Sequence, residues 1–178
     1  MLGLIKRSFT YMDESMFILL YKSLIRPILE YGAPVWNPHL IKHIKKLESV
    51  QRRATKIVTG LNGLAYTQRL VHLGLPTLLY RRDRQDLILV FQILHTGESH
   101  PLHHLFNLNN DTRLRGHSRK LRKSGHYHYD ARKYFFSERV INTWNSLPDF
   151  VVEAADTNMF KSYLNGSNWH NQKFSFHW

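Results

Sequence analysis

Asn37-Pro-His-Leu-Ile-Lys-His-Ile-Lys-Lys-Leu-Glu-Ser-Val-Gln-Arg-Arg-Ala-Thr-Lys-Ile-Val58 is the stretch whose reading decides the fold. Leu40, Ile44, Leu47, Val50 or Gln51, Ala54 and Ile57 recur every three or four residues, the period of one helix face. Asn37 is read as the cap, Pro38 as the first helical position, and Gly60 sets the end near Val58. The opposite face carries Lys42, Lys45, Lys46, Ser49, Arg52, Arg53 and Lys56, with Glu48 as the only acid. At 1.5 Å per residue these cations form a stripe about 20 Å long. Exposed helix faces ordinarily mix signs, because unlike charges at i, i+4 attract and like charges repel. A one-sided stripe therefore reads as a contact for phosphates or an acidic partner, against the plainer reading of a solvated face.

Outward from this helix the chain keeps the same character. A short helix is predicted from Leu2 to about Phe9. A second begins at Asp13, with Met12 and Phe17 as a hydrophobic staple, and its apolar stripe is Phe17, Leu20, Leu24, Ile28 and Tyr31. Pro27 lies inside that stripe, so a kink or break is expected near Leu24–Pro27. Gly32–Pro34 reads as a turn. A helix around Thr67–Leu73 should stop at Gly74 with Leu75 in a Schellman-type contact. Thr77 caps a long helix to about His95, closed by Gly97, whose second half from Leu87 to Leu94 is apolar enough to be buried on most sides.

After Glu98 the pattern loosens. A small hairpin, roughly 117–123 against 127–133, is predicted around Ser124-Gly125. Val140, Ile141, Trp144 and Leu147 restore helical spacing up to Pro148, and Thr157 caps a last helix with Phe160 and Leu164, closed by Gly166. The tail from Ser167 has aromatics without a period and reads as frayed or loosely docked. The predicted fold class is mainly α: a helical domain over 1–97, a basic irregular or hairpin segment over 98–133, a C-terminal helical segment over 134–166 and a tail over 167–178.

Charge narrows the function classes. The 178 residues hold 25 Lys and Arg against 13 Asp and Glu, a formal net charge of +12, with 12 His and no Cys. Hydrophobic content of 43% excludes a disordered chain. The absence of Cys excludes disulfides, thiolate metal sites and a Cys nucleophile. No apolar run approaches the roughly 20 residues needed to span a bilayer, and no signal peptide is read at the N-terminus, so nucleus or cytoplasm is expected rather than secretion. The excess is uneven: residues 101–133 carry 8 basic and 2 acidic groups, residues 134–178 carry 3 and 4. Arg113, Arg115, Arg119, Lys120, Arg122 and Lys123 form the densest run, with no acid among them. A large basic excess raises the expectation of a polyanionic partner, with a solvated loop as the alternative for this run.

Catalytic constellations are thin. Asp83 and Asp86 lie three apart on one helix, ringed in sequence by Arg81, Arg82 and Arg84, which reads as surface ion pairing rather than a two-metal site. His100, His103, His104, His126 and His128 match no standard zinc spacing and read better as a pH-sensitive basic patch. No Gly-x-Ser-x-Gly elbow and no Gly-rich phosphate loop is present. Tyr134-Phe135-Phe136 and Trp144 could stack bases, but at helical spacing they read as core. No cofactor and no catalytic residue is assigned.

Leu20-Tyr-Lys-Ser-Leu-Ile-Arg-Pro-Ile-Leu-Glu-Tyr31 and Pro34-Val-Trp-Asn-Pro38 resemble the region downstream of the catalytic core in reverse transcriptases of non-LTR retrotransposons, the jockey-like LINE elements. Further stretches follow in the family's order: Leu2-Gly-Leu-Ile-Lys-Arg7, Leu47-Glu-Ser-Val-Gln-Arg-Arg-Ala-Thr-Lys56, Leu73-Gly-Leu75, Arg81-Arg82 with Asp86-Leu87. Phe135-Phe136-Ser137, Arg139-Val140, Trp144-Asn145, Leu147-Pro148 and Phe160-Lys161 with Leu164 complete the set, over roughly residues 1–165. The resemblance implies a helical thumb that holds a template–primer duplex, followed by a C-terminal segment.

The family's aromatic-x-Asp-Asp signature is missing; Tyr129-Asp130-Ala131 is not that motif. The expectation is therefore a non-catalytic C-terminal fragment of an RNA-directed DNA polymerase, not an enzyme on its own. Its partners would be RNA or DNA through phosphates, with no membrane, and the absent palm and fingers of the parent polymerase. Lys42, Lys45, Lys46, Arg52, Arg53 and Lys56, with the Arg113–Lys123 cations, are the expected contacts. The alternative is a vestigial or protein-interaction helical module with no nucleic-acid role.

Overall fold

Asp13 opens the second helix of the computed structural model by accepting the Met16 backbone N–H on Oδ1 at 2.7 Å. Met12 and Phe17, the expected staple, are both buried beside it. The structure describes residues 1–109, 116–125 and 127–176. The fold is mainly α, with one small antiparallel strand pair among the described residues. Its helices are α1 (Leu2–Ser8), α2 (Glu14–Leu20), α3 (Arg26–Glu30), α4 (Ala33–Trp36), α5 (Ile41–Ala54), α6 (Tyr66–His72) and α7 (Leu78–Thr96). Strands β1 (Asn107–Leu108) and β2 (Leu121–Arg122) follow, then α8 (Asp130–Lys133), α9 (Phe136–Arg139), α10 (Ile141–Asn145), α11 (Asp149–Val152) and α12 (Thr157–Gly166). Among the described residues no helix is long and apolar enough to cross a membrane.

The chain divides into two compact units, Met1–Arg82 with Asn171–Trp178, and Asp83–His170. The division falls inside α7 and not after it at residue 97, because Leu87, Val90, Phe91 and Ile93 pack into the second unit's core. The tail is also anchored. In the first unit Thr77 donates its backbone N–H to the Lys173 carbonyl at 2.9 Å and its hydroxyl to the Gln172 carbonyl at 2.8 Å, while Phe174 packs on that unit's core. Trp178 lies outside the described residues.

In the first unit the core is built from Ile5, Met12, Phe17, Tyr21, Ile25, Ala54, Val58, Leu70 and Leu75, among others. The break expected before Pro27 takes the form of a π-helical turn over Tyr21–Ile25, in which the Arg26 N–H reaches back five residues to the Tyr21 carbonyl. The wider turn moves the backbone away from the proline ring, which would otherwise meet the carbonyl four residues earlier. It also changes which face is buried. Phe17, Tyr21 and Ile25 enter the core, whereas Leu24, Ile28 and Tyr31, expected on the apolar stripe, are exposed.

Helix ends follow their local chemistry with three corrections. Gly74, at φ 58°, closes α6 as expected: Leu75 N–H bonds the Leu70 carbonyl at 2.9 Å and Gly74 N–H the Val71 carbonyl at 3.1 Å. Thr77 caps α7, its hydroxyl oxygen accepting the Tyr80 N–H at 3.1 Å. Asn37, however, does not cap α5; it ends α4, its Oδ1 accepts the Arg82 Nε–H at 2.9 Å, and α5 starts only at Ile41 and stops at Ala54. Gly32–Pro34 is not a free turn: Gly32, at φ 61°, starts the short α4 that contains Pro34. Asp156, one residue before Thr157, caps α12 by accepting the Asn158 and Met159 N–H groups.

In the second unit α7, α9, α10, α11 and α12 bury Phe91, Phe136, Trp144, Val151, Val152, Phe160 and Leu164 together. The strand that carries Leu121 does not pair with 127–133, where Asp130–Lys133 is helical; it pairs with β1, Asn107 opposite Arg122 and Leu108 opposite Leu121.

Candidate nucleic-acid interface

α5 is held in one rotation about its axis by four inward polar or small residues. Glu48, Gln51, Ala54 and Thr55 are buried. Glu48 Oε1 accepts the Tyr66 hydroxyl and Oε2 accepts the Leu78 N–H at 3.0 Å, at the first turn of α7. Gln51 accepts the Tyr21 hydroxyl and donates to the Pro76 carbonyl at 3.0 Å. Thr55 accepts Arg69 Nε–H at 3.0 Å, and the Arg69 guanidinium also donates to the Leu64 and Arg52 carbonyls. Directional bonds along its inward face leave the helix little freedom to roll.

Glu48 is the correction that matters most here. Read as the one acid on the basic face, it is 1% exposed and points inward. Burial pushes its carboxyl above the usual range, opposed by the hydrogen bonds from Tyr66 and the start of α7. Burial and the neighbouring Glu48 push the Tyr66 phenol well above its ordinary value, so it stays a donor. With Glu48 inside, every charged side chain that α5 exposes is cationic: Lys42, Lys45, Lys46, Arg52 and Arg53. Lys56 continues the stripe, exposed on the turn after the helix, where Lys56 and Ile57 N–H groups bond the Arg53 and Ala54 carbonyls. Arg52 lies over the Tyr66 ring, 5.0 Å from its centroid, which fixes one cation of the row.

A further cation was not legible in the run of sequence. Lys6, exposed on α1, lines one groove with Arg53 and Lys56. No periodicity in the sequence joins it to the cations of α5.

The second basic segment is placed within the other unit. Arg119, Arg122 and Lys123 are exposed and Lys120 is half-buried, with Leu121 buried between them in β2. Its backbone is fastened to α10: Trp144 Nε1–H donates to the Arg119 carbonyl at 2.9 Å, and His117 Nε2 meets the Trp144 carbonyl at 3.0 Å. The Lys120 side chain lies across Gly116, at φ 98°, where a Cβ would come within 3.2 Å of it. Arg113 and Arg115 lie outside the described residues.

The remaining candidates resolve differently. Asp83 and Asp86 pair with residues far along the chain. Asp86 accepts both Arg139 Nε–H at 2.9 Å and Nη2–H at 3.0 Å, and Asp83 faces His170 at 3.1 Å. Arg81 pairs with Glu30, and the Arg82 guanidinium sits 3.9 Å over the Trp36 ring. Phe136 and Trp144 are core, while Phe135 is exposed. Among the described residues no three His, Asp or Glu side chains gather as a metal site; His126 lies outside them. Compared with known proteins, the chain matches no family model, no curated protein and no solved structure.

Proposed function

We propose that this chain grips nucleic acid by its phosphate backbone, as a non-catalytic C-terminal part of a retrotransposon RNA-directed DNA polymerase. The observation that carries the reading is the acid-free row Lys42, Lys45, Lys46, Arg52, Arg53 and Lys56, exposed on α5 and the turn after it, with the one carboxylate of α5 turned into the core. Fixed cations about one helical turn apart can neutralise successive phosphates, which confers affinity without sequence preference. The ordered likeness to the thumb region of jockey-like elements supports the same reading, and a template–primer duplex is the ligand it implies. Arg119, Lys120, Arg122 and Lys123 would supply a second contact.

The test is the salt dependence of binding to a labelled RNA–DNA or DNA duplex, followed by fluorescence anisotropy. With about six phosphates neutralised, log K against log [salt] on DNA should slope near −5. Replacing Lys45, Lys46, Arg52 and Arg53 by Glu should abolish binding while the helical circular-dichroism signal survives. A slope near zero, or no binding at low salt, overturns the proposal. A protein-interaction module is the second reading, favoured by the exposed Ile28, Tyr31 and Val35 in the first unit; retention of binding partners other than nucleic acid in the four-Glu variant would separate it.

A further inference from the structure

α1 and the end of α5 enclose a groove of about 480 Å³ in the first unit. Its floor is aliphatic: Leu2, Val50 and Ile57, each half-buried against the unit's core, turn their remaining surface into it. Its rim is cationic, with Lys6 from α1 and Arg53 and Lys56 from the end of α5 and the turn after it, all exposed. Among the described residues none that lines it is acidic. Gly3 forms part of the α1 wall, and a Cβ placed there meets nothing within 4 Å.

Phosphates alone gain nothing from an apolar floor, and an unpaired base would want an aromatic platform, which the described residues of this lining do not offer. An acyl chain with one headgroup needs its cations at one end, whereas here they stand on both flanking elements. An apolar strip with cations on either side complements a helix that carries an apolar stripe bordered by carboxylates.

We propose that this groove docks an acidic amphipathic helical peptide of a partner protein, its apolar side chains on Leu2, Val50 and Ile57 and its carboxylates on Lys6, Arg53 and Lys56. The proposal goes beyond the nucleic-acid reading and does not rest on it, although the two ligands would compete for Arg53 and Lys56.

The probe is a fluorescein-labelled synthetic peptide of Leu and Glu, with Leu at helical three- and four-residue spacing, titrated against the full chain. An equally acidic peptide with Ser in place of Leu is the control. The Leu peptide should bind, and the Ser peptide should bind about tenfold more weakly or worse. Gly3→Trp, which fills the groove and removes no charge, should weaken the Leu peptide by about tenfold and leave duplex binding unchanged. Lys6→Glu, at an exposed position, should weaken the Leu peptide to a similar degree and serves should the tryptophan disturb α1. Equal binding of the two peptides, or indifference to both substitutions, overturns the proposal. So does a Gly3→Trp loss confined to the duplex or to vesicles of phosphatidylglycerol.

Discussion

The Asn145 side chain pairs with Leu121 as a strand would: its Oδ1 accepts the Leu121 N–H and its Nδ2 donates to the Leu121 carbonyl, both at 2.8 Å. One amide thus satisfies both backbone groups of a buried residue on the edge that faces away from β1. Asn145→Leu removes both bonds and leaves two backbone groups unpaired, at a cost of about 2 kcal/mol or more. Faster hydrogen exchange of the Leu121 amide is the specific readout, with the amides of α12 as the unaffected reference.

Trp144, next in the helix, is fully buried among Val140, Leu147 and Phe160 and anchors the same segment through its indole N–H. Trp144→Ala should cost about 3–5 kcal/mol in a denaturant melt. Trp144→Phe keeps much of the packing but forfeits the bond to the Arg119 carbonyl, about 1 kcal/mol of net stabilisation in itself. Comparing the two substitutions separates how much of the anchoring is packing and how much is the hydrogen bond.

His117 makes that anchoring sensitive to acid. Burial holds its imidazole below the ordinary 6.5, with nearby Lys120 adding to the shift and the Trp144 carbonyl, Asp149 and Glu153 opposing it; Nδ1 is buried without a partner. A lowered imidazole means that the unfolded chain takes up the proton first, so the stabilisation is complete above about pH 6.5 and is lost as pH falls below it. Denaturation midpoints at about pH 7.5 and 5.5 should differ less in His117→Asn than in the parent chain.

Glu48 should give the opposite sign. Its carboxyl is raised above its ordinary value in the folded chain, so the folded state holds the proton longer, and stability falls as pH rises through that raised value. Tyr66→Phe removes one of the donors that oppose the shift, which should steepen the fall and cost about 1–3 kcal/mol near neutrality. Urea midpoints of Tyr66→Phe and Glu48→Gln at acid and neutral pH would check both statements. An unchanged pH dependence in Tyr66→Phe would contradict them.

The helices and their endings at Asp13, Gly74 and Thr77 were legible because each depends on residues within one turn. Inward rotation of Glu48 was not, because the groups that stabilise it, Tyr66 and the Leu78 N–H, lie 18 and 30 residues away. Periodicity ranks Leu47 above Glu48 for burial; a helix N-terminus supplied from elsewhere reverses the order. Asn37 was misread for the same reason: its side chain meets Arg82, 45 residues on, instead of the next turn. The hairpin was misplaced because Ser124-Gly125 is a sound turn signal, while the true partner, β1, comes from across a longer connection. The cations themselves were readable, and Lys6 was not, since the cations it joins in the groove, Arg53 and Lys56, lie more than forty residues away.

The widened turn over Tyr21–Ile25 amounts to one residue inserted into an otherwise continuous helix. A turn that absorbs it leaves each later residue about 100° behind the position unbroken α winding would give it. Phe17 and Ile28, eleven apart, would lie about 20° from each other on an unbroken α-helix; here Phe17 is buried and Ile28 is 62% exposed. A chain lacking Ser23 would return to ordinary winding with Ile28 still facing outward, because the deletion takes away the one residue that the wide turn absorbs. The wide turn thus lets the chain carry one extra residue there while the sides of the helix before and after it stay in register.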